Sequence, residues 1–203
     1  DGSAPEICRL AAAPRQERWP LTPIQQGLYF QTCLDPTGKT YHMAGAFRLH
    51  CGVDRDRLED AFRRLIAEDP ILRTAFISSP EGIFARVEDE ADFVLPIYEG
   101  TTLDEAAETI LAPFDLSKAP LLRAGLWEES EDHWVLLLNI HHIIGDGLTT
   151  PILLARLDAL YRGAHTAAPT LSYLDYAWHL TQQQEDSHRL DYWKSHLSAL
   201  PEA

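Results

Sequence analysis

Trp134-Val135-Leu136-Leu137-Leu138-Asn139-Ile140-His141-His142-Ile143-Ile144-Gly145-Asp146-Gly147 is the stretch on which the reading of this chain turns. Trp134 to Ile140 is a short apolar run, and its length favours a strand buried on both faces over a helix. Gly145 and Gly147 bracket Asp146, which lets the chain turn sharply and bring its backbone close to a ligand. A helix is expected from near Leu148-Thr149-Thr150-Pro151. The two histidines therefore sit on a loop between a buried strand and a helix, where rigid elements commonly hold functional groups.

Histidine suits proton transfer near neutral pH, because its unperturbed pKa is about 6.5. Adjacent side chains leave an extended backbone on opposite sides, so one imidazole should face an active space and the other the interior. Asp146 can order the loop by accepting hydrogen bonds or by pairing with a buried base. Three functions fit the bare residues: packed core histidines, a metal site on His141, His142 and Asp146, or a proton-transfer site. No fourth ligand is in view, so no metal is expected.

Outward from this loop the chain alternates helices and strands. Thr22-Pro23 reads as an N-cap with proline at the first helical position, and that helix should end at the turn Asp35-Pro36-Thr37-Gly38. Ala44 to Leu49 suits a strand. Asp54 should cap a helix with Leu58, Ala61, Phe62, Leu65 and Ile66 on one face, stopped at Asp69-Pro70. Ile71 to Ser78, Ile83 to Val87 and Phe93 to Tyr98 read as strands. Thr102 to Glu105 has capping-box spacing for a helix to about Leu111. Leu121 to Trp127 reads as another buried strand. Helices are expected over Pro151 to Tyr161, from Ser172 and Asp175, and over Leu190 to Leu200. The order makes the chain α/β. Residues 1–18 read as a linker and 19–203 as one domain.

With 203 residues and 45% apolar content, the chain can build one core without needing two domains. Thirty-one acids against 17 bases give a formal charge of -14, which would repel a phosphate backbone. Nucleic acid is not an expected partner. Neither is a membrane, since no cluster of bases and no long apolar run is present. Cys8, Cys33 and Cys51 lack Cys-x-x-Cys spacing; they suit reduced thiols used in packing, and a cytoplasmic setting. No phosphate-cradling glycine loop and no Gly-x-Ser-x-Gly elbow occurs, which argues against ATP chemistry and a serine nucleophile.

His141-His142-Ile143-Ile144-Gly145-Asp146-Gly147 matches a His-His-x-x-x-Asp-Gly pattern and has further company in order. Leu21-Thr22-Pro23-Ile24-Gln25-Gln26-Gly27-Leu28, Asp69-Pro70-Ile71-Leu72-Arg73-Thr74-Ala75-Phe76, Pro113-Phe114-Asp115-Leu116 with Pro120-Leu121-Leu122-Arg123-Ala124, and Tyr173-Leu174-Asp175-Tyr176-Ala177 with Tyr192-Trp193 complete the set. Together they resemble the amino-terminal lobe of a nonribosomal peptide synthetase condensation domain, a relative of chloramphenicol acetyltransferase. The resemblance implies one lobe with a mixed sheet flanked by helices, half of a pseudo-dimeric two-lobe domain. It implies amide formation between donor and acceptor thioesters, with His142 catalytic, His141 supporting and Gly147 offering backbone near the thioester. Asp146 would be structural and paired with Arg73. No cofactor would bind directly; substrates would arrive on the phosphopantetheine of donor and acceptor peptidyl carrier proteins, beside an adenylation domain in the parent synthetase. Tyr173, Tyr176, Tyr192 and Trp193 would pack in the core or between lobes.

Departures narrow the subtype. Ile140 removes the third histidine of the β-lactam-forming variant, both motif histidines stand where recruitment domains carry arginine at the second, and the paired aspartates of heterocyclisation domains are missing. Leu148-Thr149 replaces the aromatic and serine of many members. The expected subtype is a standard elongating domain taking an L-configured donor, with Leu148-Thr149 leaving the donor's chirality open. The second lobe's motifs are not in this sequence, so the chain is expected to be a fragment, inactive alone. The alternatives are a non-catalytic docking module for a carrier or enzyme, and a freestanding ester-forming acyltransferase.

Overall fold

The computed structural model describes residues 10–35, 37–49, 52–130, 133–164, 168–182 and 187–198. Cys8, Cys51, Pro36 and residues 1–9 and 199–203 lie outside the described residues. The elements in chain order are α1 (Pro23–Leu34), β1 (His42–Leu49), α2 (Arg55–Glu68), a 3₁₀ turn (Pro70–Arg73), β2 (Thr74–Ser79), β3 (Gly82–Val87), β4 (Ile97–Tyr98), α3 (Leu103–Ile110), β5 (Leu122–Ser130), β6 (His133–His141), a second 3₁₀ turn (His142–Ile144), α4 (Thr149–Tyr161), α5 (Tyr173–Gln182) and α6 (Ser187–Leu197).

Four strands form a mixed sheet in the order β1-β6-β5-β4, with β1 and β5 antiparallel to β6 and β4 parallel to β5. β6 lies at its centre and is buried along most of its length. Leu136, Leu138 and Ile140 join Phe62, Leu65, Leu153 and Leu157 from α2 and α4 in the main core. Val135 and Leu137 pack instead with Ala106 and Ile110 of α3. The strand's twofold alternation thus feeds two helical layers, which is why Trp134–Ile140 reads as one apolar run. β2 and β3 form a separate hairpin, and Trp19 pairs with Ala85 on its outer edge.

Local chemistry sets most boundaries as expected. Thr22 caps α1, and its capping box is closed by Gln25. Asp54 caps α2, and Thr102 with Glu105 caps α3. Asp35 folds the turn after α1 by accepting from Thr37 N, Lys39 N and Thr40 N, with Gly38 at φ 64°.

Two expected strands are shorter. Ile71–Arg73 is 3₁₀, closed by Leu72 N donating to Asp69 O at 3.1 Å and by Thr74 Oγ1 donating to Pro70 O at 2.7 Å. Phe93–Leu95 is not strand, because α2 takes its backbone groups. Glu59 accepts from Leu95 N at 2.9 Å, while Arg55 and Arg63 donate to the carbonyls of Leu95 and Phe93, each at 3.2 Å. A side-chain ladder thereby replaces the strand ladder. Cys33 is exposed on α1, so the packing role expected of it does not hold. Tyr173, Tyr176, Tyr192 and Trp193 are 39–58% exposed and belong to the surface of this lobe, not to its core.

Candidate functional site

The end of β6 separates the two histidines as the alternation requires. His141 continues the face of Val135 and Leu137 and is 1% exposed. His142 N extends the β1–β6 pairing by donating to Tyr41 O at 2.8 Å, and its side chain is exposed. The 3₁₀ turn then sends Ile143 and Ile144 into the core. These two apolar anchors hold the loop, and His142 rides on it without a hydrogen bond to its ring among the described residues.

His141 Nδ1 accepts from Ile143 N at 3.1 Å, and its Nε2 lies 3.2 Å from Thr32 Oγ1. Behind it stand His42 and Phe114, with ring centroids 6.1 and 6.0 Å away. His42 Nδ1 is 3.0 Å from Asn139 Nδ2, which also donates to Ile110 O at 2.9 Å. Arg123 stacks over Phe114 at 4.2 Å and donates to the carbonyls of Ala112 and Pro113. Burial, then the Arg123 charge, lowers the His42 imidazole pKa.

Burial, followed by the neighbouring His42 and His142 imidazoles, pushes His141 down to about 4. An unfolded histidine titrates near 6.5, so between about pH 6.5 and 4 the unfolded chain takes up a proton that the folded chain does not. The stability that His141 contributes is complete above that window and is lost as the pH falls through it, by about 3 kcal/mol. Urea unfolding of the chain should lose stability more steeply over this window than that of His141→Asn, whose side-chain oxygen can still accept from Ile143 N. Equal slopes would show that the ring is not held neutral.

His142 lies on the rim of a cleft of about 440 Å³ between α1, α4 and the residues leading into α5. Ile24, Leu28, Ile71, Ile144, Ile152 and Leu153 supply apolar walls. Arg156, at the same cleft, pairs with Asp69 at 3.1 Å and Glu68 at 3.2 Å, all three partly buried. Gln25 is buried at the cleft wall; its Nε2 donates to Ile143 O at 3.1 Å and its Oε1 accepts from Thr22 N at 3.1 Å.

Asp146 orders the loop by hydrogen bonding. Its Oδ1 accepts from Leu148 N, Thr149 N and Thr149 Oγ1 at 3.0–3.1 Å, which closes the turn leading into α4. Those donors, the Thr149 hydroxyl first, lower its pKa. The expected pair with Arg73 is not made. Arg73 turns toward β3, where its guanidinium donates to Glu88 O at 2.5 Å and its carbonyl accepts from Glu88 N at 2.9 Å. A backbone carbonyl thus meets the partly buried base, and Asp146 stays at the surface among N–H donors. Neither Gly145 nor Gly147 has a positive φ. Gly145 is extended, and a Cβ there would sit 2.8 Å from Thr149 Cγ2, so it serves close approach; at Gly147 a Cβ would meet open space.

His141, His142, Asp146 and Gly147 therefore follow one another at the end of β6, His142 and Asp146 line the cleft, and Arg73 lies apart from them. Sequence reading assigned no role to Gln25, Thr32, Asn139, His42 or Arg156. A glutamine three residues after a helix-capping threonine signals Gln25; the others pair across 87 residues or more, beyond any local pattern.

A family model described as Condensation domain matches residues 15–203. Surfactin synthase subunit 2 of Bacillus subtilis (strain 168) is 34% identical over 194 residues, 93% of this chain and 5% of the relative. Bacitracin synthase 3 of Bacillus licheniformis is 35% identical over 189 residues, 91% of this chain and 3% of the relative. The X-domain solved in complex with OxyB from teicoplanin biosynthesis aligns at TM-score 0.80 and 25% identity, covering 95% of this chain and 46% of its own. The starter condensation domain of rhizomide synthetase RzmA shares the fold at TM-score 0.75 and 22% identity, with coverages of 89% and 48%. The chain thus spans about half the length of these solved structures and a small fraction of the curated relatives.

Proposed function

Because this chain belongs to the condensation-domain family, we propose that it supplies the histidine-bearing lobe for amide formation in cytoplasmic nonribosomal peptide synthesis. The observation that carries this reading is the split pair: His141 is locked inside while His142 stands exposed on the rim of an aliphatic cleft. The acceptor amine attacks the donor thioester carbonyl; the new C–N bond forms, the C–S bond breaks, and the amine proton ends on the departing thiol. His142 receives that proton or holds the amine in line. His141, Asp146 and Gly147 support the loop, and Arg73 supports the β3 side. Both substrates are carried on phosphopantetheine by carrier proteins, with an adenylation domain elsewhere in the parent synthetase.

The partner lobe completes the site, so this chain by itself is expected to be inactive. Two carriers loaded with aminoacyl thioesters, mixed with the chain or with the two-lobe parent domain, should give an amide by mass spectrometry only with the latter. Turnover by the chain alone that depends on His142 would refute its inactivity. The likeness to an X-domain solved with OxyB supports a second reading, a docking module. That reading predicts binding unaffected by His142→Ala and no amide from the two-lobe domain.

A further inference from the structure

The hydrogen bonds around His141 admit one arrangement of protons. Ile143 N can only donate, so Nδ1 of His141, 3.1 Å away, must be the bare nitrogen. A neutral imidazole then carries its proton on Nε2, facing Thr32 Oγ1 at 3.2 Å. The Thr32 hydroxyl proton is free to point at Leu28 O, 2.8 Å away. The result is one directed chain: Ile143 N–H to His141 Nδ1, His141 Nε2–H to Thr32 Oγ1, and Thr32 O–H to Leu28 O. It begins at the residue after His142 and ends on the backbone of α1. Gln25, one helical turn before Leu28, takes the Ile143 carbonyl directly at 3.1 Å. Both backbone polar groups of Ile143 are therefore bound to α1, one through His141 and one through Gln25.

We propose that Thr32 is a positioning residue for His142, anchoring the His141 ring and through it the 3₁₀ turn that carries His142. Among the described residues His142 has no ring partner of its own, so its placement is inherited from the backbone beside it. Removing the Thr32 oxygen leaves the His141 Nε2–H unanswered in a buried site, and the ring is then held only by the Ile143 amide. The catalytic consequence rests on the function proposed above; the anchoring of the ring and the order of the loop do not.

Thr32→Val conserves shape and removes the hydroxyl, while Thr32→Ser keeps it. Nitrogen-detected NMR of the chain should show His141 protonated at Nε2 in the wild type and in Thr32→Ser. In Thr32→Val the Nε2 proton should persist but exchange faster, with exchange of the Ile143 amide about tenfold faster, the scale of one lost hydrogen bond. In the two-lobe domain Thr32→Val should lower kcat about tenfold at unchanged KM, with Thr32→Ser restoring it. Unchanged exchange of the Ile143 amide in a folded Thr32→Val chain would overturn the proposal. So would altered NMR spectra beside an unchanged kcat. Absence of amide formation by the wild-type two-lobe domain would instead overturn the functional reading, and the NMR comparison would still decide the role of Thr32.

Discussion

Replacing His142 by alanine is expected to slow amide formation by the two-lobe domain about 10²–10⁴-fold, the range for loss of a positioned proton-transfer group. The fold should not register the change. His142 is exposed and its ring binds nothing among the described residues, so unfolding free energy should move by no more than about 0.5 kcal/mol. The combination is diagnostic, because a rate loss without a stability loss assigns the effect to chemistry. A loss smaller than about tenfold would hand most of the acceleration to orientation by the assembled two-lobe site, where effective molarities reach about 10⁵ M and above. An undiminished rate would remove His142 from the mechanism.

Phe62→Ala is expected to produce the largest loss of stability, about 3–5 kcal/mol in urea unfolding. Phe62 is 1% exposed at the centre of α2, and its ring stacks on Phe93 with centroids 4.9 Å apart and planes at 27°. Its removal opens a void between α2, the sheet and the segment that Glu59 and Arg63 hold by its backbone. That ion-paired ladder keeps the segment from collapsing inward, so the void should persist and the cost should sit in the upper part of the range. A loss under about 1 kcal/mol would mean that the core closes over the missing ring.

Where hydrophobic period and capping chemistry coincide, the sequence was legible. β6 and α2 declare their faces, and Thr22, Asp54 and Thr102 declare where helices begin. The opposed directions of His141 and His142 followed from strand alternation alone. Ile71–Arg73 misled because an apolar triplet after a proline has strand composition, yet Asp69 and Thr74 close it into a 3₁₀ turn. Phe93–Leu95 misled because its backbone partners are side chains of α2, 30 to 40 residues away. The Arg73–Asp146 pairing failed on an assumption of charge matching: a carbonyl answered the arginine, and backbone amides answered the aspartate. Thr32 escaped notice because nothing local to α1 distinguishes a threonine that meets His141 from one that meets water.

The opposite allegiance of neighbouring residues along β6 makes that strand a partition. The cleft at His142 takes its walls from α1, α4 and the approach to α5, whereas Asn139, Ile110, His42 and Phe114 stand behind His141 and line none of it. On the function proposed above, substrate preference and the setting of the motif are separately adjustable: a designer can recut the aliphatic walls at Ile152 or Leu153 to change what is admitted, and leave the machinery behind the imidazole as it stands.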